Sequence, residues 1–216
     1  MLRALSRAFS GLIAPSFCVH CQRLLLEPAG LCEPCRQAIK PLVSVYLPLT
    51  TTQVMPVVCV GAYQAPLQAF IAAKFTGSRV ASRLAGQLIA DLSPLKEQEF
   101  DALVPVPLHW RRYARRGYNQ ADEIALRLSE VTGKPVCHLL TRTRHTPFQF
   151  LLAQRDRKEN LDEAIELISS DESLVGKRLV LVDDLMTTGT TLKACGRALL
   201  ALRPQSVSAV VLCRAI

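Results

Sequence analysis

The stretch that decides the fold reads LVLVDDLMTTGTT over residues 179–191. Its apolar start predicts a buried strand, two carboxylates follow, and a turn rich in hydroxyl groups leads into a predicted helix. Such a turn exposes backbone N–H groups, and the helix directs the positive end of its dipole at the same point. The residues expected to hold a phosphate there are Thr187, Thr188, Gly189, Thr190 and Thr191. The alternative is an ordinary strand-to-helix connection. Such a connection does not require thirteen residues in this order, so the pattern favours a phosphate site.

The two carboxylates, Asp183 and Asp184, would repel a phosphate and therefore suit another part of the same ligand. We expect them to bind sugar hydroxyls, directly or through Mg²⁺. In open α/β sheets, ligands bind in the crevice at the carboxyl ends of the strands, where this segment is expected to lie.

Outward from this segment, predicted strands alternate with predicted helices, which indicates an α/β fold with a mostly parallel sheet flanked by helices. The predicted strands cover residues 57–63, 102–106, 136–140, 178–182 and 206–212. The predicted helices cover residues 66–75, 80–92, 119–132 and 190–202. Residues 1–50 are expected to form an N-terminal helix and a Cys-rich module, and residues 51–216 the α/β domain. The polar stretch 142–161 has no clear apolar period and is expected to be a mobile loop.

The Cys-rich module contains two CxxC pairs separated by ten residues: Cys18, Cys21, Cys32 and Cys35. This doubled spacing is typical of a structural zinc site, in which four thiolates leave no open position for catalysis. Disulfides and a redox-active CxxC are the alternatives. A reducing compartment would disfavour the disulfides.

Charge is unevenly distributed along the 216 residues, which carry a formal net charge of +8. Residues 107–158 contain eleven basic and four acidic side chains, so that window accounts for +7 of the total. Such a local field attracts phosphates of a small ligand or of a nucleic acid. Half of the residues are apolar, which excludes a disordered chain. No apolar run is long enough to span a bilayer, so we expect a cytoplasmic protein without stable membrane insertion.

Two basic segments in this window are candidate anion sites. The first follows a proline-stiffened turn and contains Arg111, Arg112, Arg115 and Arg116, which we expect to form a loop that neutralises pyrophosphate or nucleic-acid phosphates. The second contains Arg155, Arg157 and Lys158, which would neutralise charge from a closing lid. For both segments, a solvated basic surface is the alternative. Aromatic candidates for base stacking in the same window are Tyr113, Tyr118, Phe148 and Phe150.

The phosphate segment resembles the signature with which type I phosphoribosyltransferases bind phosphoribosyl pyrophosphate (PRPP). The order of motifs over essentially the whole chain resembles the ComF family, also called GntX-like or competence protein F. These motifs are the CxxC pairs, residues 74–77, 104–107, 116–120, 146–149 and 157–160, and the phosphate segment. The resemblance implies a zinc finger joined to a phosphoribosyltransferase-like domain that acts in DNA uptake and natural transformation. It further implies that Asp183 and Asp184 hold the ribose hydroxyls, and that single-stranded DNA and a helicase-like competence protein are partners.

Two functions remain open at this point. One is a binding protein that holds PRPP, a nucleotide or single-stranded DNA without turnover. The other is a Mg²⁺-dependent phosphoribosyltransferase that transfers phosphoribose from PRPP to an unidentified nitrogen nucleophile. A shared fold does not decide between them.

Overall fold

The computed structural model describes residues 16–26, 29–73, 78–143, 165–168 and 172–215. The predicted N-terminal helix over residues 1–15 and almost all of the predicted loop 142–161 lie outside these ranges. The strands of the described part are β1 Ser16–Phe17, β2 Leu24–Leu25, β3 Val45–Pro48, β4 Val54–Ala62, β5 Ala102–Pro105, β6 Leu140–Arg142, β7 Ile165–Leu167, β8 Arg178–Met186 and β9 Ser206–Arg214. Its α-helices are α1 Glu33–Gln37, α2 Gln68–Ala73, α3 Arg79–Leu92, α4 Trp110–Arg116, α5 Gln120–Thr132 and α6 Thr190–Leu199.

The central sheet has five strands in the order β3-β4-β9-β8-β5. Strand β3 pairs antiparallel with β4, and the other three pairings are parallel. The prediction of a mostly parallel sheet flanked by helices is thus confirmed. Strand β3 lies before the predicted division at residue 50 but pairs with β4 beyond it, and that division stays a prediction.

Alternating residues of the sheet enter two hydrophobic cores, one on each face. Side chains such as Val180, Val182 and Leu212 pack with α2, α3, α5 and the Cys-rich module. Leu179 and Leu181, on the opposite face, pack with α6, β3 and the β6–β7 strand pair. Both faces of β8 are therefore buried over the four residues 179–182, which explains why this part of the strand is a continuous apolar run.

Helix α5 shows why the predicted boundaries hold where a local signal exists. The Asn119 side chain accepts a hydrogen bond from the Ala121 N–H at its start, and Gly133 ends it in the left-handed conformation with a φ of 70°. The predicted strand over residues 136–140 is mostly wrong, because only its two ends have strand pairing: Val136 forms a bridge to Leu103 at the sheet edge, and Leu140 is the first residue of β6. Strand β8 runs four residues further than predicted, as far as Met186.

Across the described residues, no helix is both long enough and apolar enough to cross a membrane.

Candidate functional site

The candidate phosphate site lies where β8 extends past its neighbour β5. The last β5 residue, Pro105, lies opposite Val182, and the Val106 N–H still donates to the Val182 carbonyl at 3.0 Å. Beyond that point β8 continues to Met186, paired with β9 alone among the described strands. The chain after β5 leads into α4, so none of the described strands covers this edge of β8. We call this open edge, between the end of β8 and α4, the cleft.

Asp183 and Asp184 occupy the part of β8 that faces the cleft. Both are half-buried, and the Asp183 carboxylate accepts a hydrogen bond from the Asp184 N–H at 2.8 Å. Successive residues of a strand point to opposite faces. Accordingly, Asp183 lies in the field of Arg142 on one face, and Asp184 in the field of Arg116 on the other. The two carboxylates therefore lie on opposite faces of β8, close to its carboxyl end.

The turn after β8 has the conformation that the sequence predicts. Gly189 is left-handed, with a φ of 75°, and it precedes the first residue of α6. A Cβ at this position would lie 2.8 Å from the Leu47 Cδ1 of β3, so both the backbone and the packing require glycine. The Thr188 and Thr190 hydroxyls lie 2.8 Å apart, and the first turn of α6 contains no acid. This end of the helix therefore presents hydroxyl groups and an uncompensated positive dipole to an anion.

The first basic segment is a helix, and the prediction of a loop was wrong. His109 caps α4 by accepting a hydrogen bond from the Arg111 N–H at 3.2 Å, and Gly117 ends it with a φ of 76°. Seven residues with four arginines carry no apolar period, which is why the sequence did not indicate a helix.

Helical geometry divides the four arginines into two pairs at i and i+4. Arg112 and Arg116 are half-buried on the face towards the cleft, whereas Arg111 and Arg115 are exposed. Burial lowers the pKa of Arg112, and the charges of Arg142 and Arg115 lower it further. Burial and the charge of Arg112 likewise lower the pKa of Arg116, while Asp184 raises it. The inner pair thus contributes crowded, partly desolvated positive charge that a bound anion would stabilise.

The connection from α4 to α5 helps to position Arg116. The Arg116 guanidinium donates to the Gln120 side-chain oxygen at 3.2 Å, and the Asn119 side-chain amide donates to the Val106 carbonyl at 3.0 Å. Tyr118 is 3% exposed, with the Arg79 guanidinium 5.6 Å from its ring centre. Its proposed role in base stacking was therefore wrong, because the ring is buried.

Arg142, on β6, is a candidate site residue that sequence reasoning missed. Burial lowers the pKa of its guanidinium, and the negative charge of Asp183 opposes that shift. The side chain lies in the basic window, but nothing in the sequence shows that β6 folds back towards β8. The proposed lid residues Arg155, Arg157 and Lys158, together with Phe148 and Phe150, lie outside the described residues.

The four cysteines of the module come together as predicted. Their sulfur atoms lie within 4.8 Å of one another, and the Cys21 and Cys32 sulfurs are 3.5 Å apart. Tetrahedral zinc with bonds of about 2.3 Å places its sulfur ligands roughly 3.8 Å apart, so the cluster fits this metal. The first CxxC lies in the turn between β1 and β2, and the second begins at Cys32, which precedes α1.

The thiol pKa values show how these cysteines influence one another. Burial opposes ionisation of Cys18, but backbone hydrogen bonds from Cys21, Cys32 and His20 lower the pKa of its thiol to about 6. Burial and the neighbouring cysteine sulfurs raise the pKa of Cys35 to about 12. A thiolate at Cys18 therefore opposes ionisation of Cys35, and a bound divalent cation would stabilise the negative charge of all four thiolates.

Comparison with known proteins supports the α/β part of this description. Residues 77–216 match the model of the phosphoribosyl transferase domain family. Competence protein F of Haemophilus influenzae is 30% identical over 92% of this chain and 96% of that protein. DNA utilization protein YhgH of Escherichia coli is 31% identical over 95% of this chain and 100% of that protein.

A shorter similarity links the chain to competence protein ComFC of Bacillus subtilis, at 34% identity over 52% of this chain and 44% of that protein. Adenine phosphoribosyltransferase of Thermoanaerobacter pseudethanolicus has a similar structure over 84% of this chain and 98% of that chain, with 16% identity. Its TM-score of 0.42 makes it too distant to support an inference. The near full-length relatives and the matching domain model show that this chain belongs to the ComF family and has a phosphoribosyltransferase-type fold.

Proposed function

We propose that this protein binds PRPP with Mg²⁺, or a closely related ribose phosphate, and that it acts in DNA uptake together with single-stranded DNA. One observation carries the proposal. The turn of β8, with its aspartate pair and left-handed Gly189, lies in the same cleft as half-buried arginines from α4 and β6. The site therefore combines groups for sugar hydroxyls with groups for phosphate.

Each part of PRPP has a proposed set of ligands. The 5′-phosphate binds the turn Thr187, Thr188, Gly189, Thr190 and Thr191. Asp183 and Asp184 hold the ribose hydroxyls, and Arg112 and Arg116 neutralise the pyrophosphate. Mg²⁺ is typically held by one or two carboxylates together with substrate phosphates, and the aspartate pair fits that donor set. The lid of Arg155, Arg157 and Lys158 remains a prediction.

The DNA-uptake role rests on the relatives, two of them named competence proteins and others DNA utilization proteins. The +7 window supports it, because single-stranded DNA binds basic surfaces. A helicase-like competence partner is expected from the family alone. A cytoplasmic location belongs to the same proposal, since a site of four thiolates persists in a reducing compartment.

The alternative is an active phosphoribosyltransferase. A nitrogen nucleophile would form a bond to C1 of the ribose and lose its proton, while the bond from C1 to the pyrophosphate oxygen breaks. The pyrophosphate would leave with its charge compensated by Mg²⁺ and the inner arginines. Pyrophosphate release in the presence of acceptors distinguishes this alternative from binding alone.

Calorimetric titration of Mg²⁺-PRPP into the wild type and the double variant Asp183→Asn/Asp184→Asn tests the proposal. We expect micromolar binding to the wild type and none to the double variant, because the sugar hydroxyls lose both carboxylates. Asp91→Asn, which changes a surface carboxylate of α3 paired with Arg36, is the matched control and should bind like the wild type. Absence of binding to the wild type would refute the proposed ligand.

A further inference from the structure

The outer face of α4 exposes two aromatic rings. Trp110 is 63% exposed and Tyr113 is 50% exposed, although large aromatic side chains usually bury most of their surface. Trp110 is the only tryptophan of the chain. On the inner face Arg112 and Arg116 are half-buried, and the Arg116 guanidinium donates to the Gln120 side chain of α5 at 3.2 Å. The two rings therefore project from an anchored element.

Uncompensated positive charge accompanies these rings. Arg111 and Arg115 are exposed, and neither forms an ion pair with any residue that the structure describes. By contrast, Arg79, Arg83 and Arg127 on the neighbouring helices all pair with Glu123 or Glu130. The unneutralised surface charge of this region is therefore concentrated on α4.

One ring and one charge of this face, those of Trp110 and Arg111, lie in direct contact. The Arg111 guanidinium lies over the Trp110 ring, 5.3 Å from its centre, which is a cation–π distance. The centre of the His109 ring lies 5.7 Å from the centre of the Trp110 ring, and the two ring planes are tilted by 37°. These contacts restrain the indole in an exposed position, so less side-chain entropy is lost when a further flat ring stacks on it.

We infer that the outer face of α4, formed by Trp110, Arg111, Tyr113 and Arg115, is the surface on which single-stranded nucleic acid binds. Bases stack on the two aromatic rings, and the backbone phosphates contact the two arginines. This inference rests on the proposed function for its DNA partner and assigns that partner a surface separate from the PRPP site. A duplex would bind this face more weakly, because its bases are already stacked on one another.

The experiment uses the single tryptophan as the reporter. Oligothymidylate of about 16 nucleotides, the upper range of sites in single-strand binding folds, is titrated into the full-length protein at several salt concentrations. We expect Trp110 fluorescence to be quenched on binding. The anisotropy of a labelled oligonucleotide then gives the affinity of each variant, and calorimetry with Mg²⁺-PRPP shows whether that variant is folded.

Two double variants separate the contribution of the aromatic rings to DNA binding from that of the arginines. Trp110→Ala/Tyr113→Ala should weaken binding roughly tenfold or more, the effect of losing stacked bases. Arg111→Ala/Arg115→Ala should reduce the slope of log affinity against log salt by about 1.4, at roughly 0.7 for each phosphate contact. Tyr46→Ala removes an aromatic ring that is 68% exposed on β3, and it should leave the affinity unchanged.

Three outcomes would overturn the inference. Unchanged affinity and salt slope in both α4 double variants would move the nucleic-acid surface elsewhere while leaving the proposed function intact. Failure of the wild type to bind the oligonucleotide would remove the DNA part of the proposed function as well, whereas PRPP binding is measured independently. Self-association that Trp110→Ala abolishes, with oligonucleotide affinity unchanged, would make this face a protein interface.

Discussion

The cysteine cluster and the candidate phosphate site differ in how far apart along the chain their parts lie. All four sulfurs of the cluster come from residues 18–35; the first CxxC lies in the turn between β1 and β2, and the second spans the N-cap and first turn of α1. The phosphate site combines α4, β6, β8 and α6, which together span residues 110–199. A site built from adjacent residues can be identified from spacing alone, whereas a site built from distant segments depends on the sheet that brings them together.

Loss of one zinc ligand should have the largest effect and should separate the two regions. In Cys32→Ser we expect loss of stoichiometric zinc and of protection from hydrogen exchange over residues 16–44. Apparent zinc-binding free energies in small zinc domains reach about 10–16 kcal/mol. Binding of Mg²⁺-PRPP should survive, because no proposed ligand of PRPP lies in the module.

Zinc analysis and hydrogen-exchange mass spectrometry check this expectation. Cys137→Ser, which changes a partly buried cysteine outside the cluster, is the control and should retain the metal. Full zinc occupancy of Cys32→Ser would contradict the four-sulfur site. Joint loss of zinc and PRPP binding would show that the two regions are not independent.

An alanine at Gly189 should have the next largest effect, and it tests how tightly the turn is coupled to β3. The left-handed backbone costs roughly 1–2 kcal/mol for a residue with a Cβ, and the contact with Leu47 at 2.8 Å adds an overpacking penalty of about 1–3 kcal/mol. We expect Gly189→Ala to lower the melting temperature and to weaken PRPP binding.

Gly133→Ala is the matched control for that substitution. Gly133 is also left-handed, with a φ of 70°, but nothing lies within 4 Å of a Cβ placed there. It should show the backbone cost alone and leave PRPP binding unchanged. Equal melting temperatures for the two variants would mean that Leu47 moves aside without cost.

The smallest effect is expected at Asp101, which joins the starts of β5 and β8 remote from both sites. Its carboxylate accepts hydrogen bonds from the Arg178 backbone N–H at 2.8 Å and from the Arg178 side chain at 3.1 Å. Hydrogen bonds from Arg178 lower the pKa of Asp101 to about 2. Because the pKa is depressed in the folded state, this stabilisation is present above about pH 4 and is lost as the pH falls towards 2.

Melting temperatures of Asp101→Asn and the wild type between pH 7 and pH 2 measure this contribution. The variant should be less stable at pH 7, and the difference should narrow below pH 4. A difference independent of pH would show that packing, and not ionisation, makes Asp101 favourable.

The difference between adjacent residues and distant segments also explains what could be predicted from the sequence. The strand, aspartates, turn and helix of residues 179–191 are contiguous, so their periodicity and turn chemistry sufficed to predict the fold and the local structure of this segment. The clustering of the four cysteines was predictable for the same reason. The extension of β8 to Met186 was missed, because Asp183 and Asp184 interrupt the apolar pattern and tertiary pairing with β9 overrides that signal.

The other differences also depend on tertiary structure. Helix α4 is short and polar, and its two caps and the contact of its inner face with the cleft stabilise it more than any apolar stripe does. Arg142 lies in the electrostatic field of Asp183 because β6 pairs with β7, which packs beside α6, and these segments are distant in the sequence. Tyr118 has the composition of a stacking residue, but its burial beneath Arg79 could not be deduced from the chain alone.

Calorimetry of Mg²⁺-PRPP with the two arginine pairs of α4 tests the central claim most directly. The inner pair, Arg112→Ala/Arg116→Ala, should lose at least about tenfold in affinity, because each charge-assisted contact contributes roughly 1.5–3 kcal/mol. The outer pair, Arg111→Ala/Arg115→Ala, carries the same change in net charge and should bind like the wild type. Equal losses from both pairs, or no binding to the wild type, would contradict a PRPP site assembled from the inner face of α4 and the end of β8.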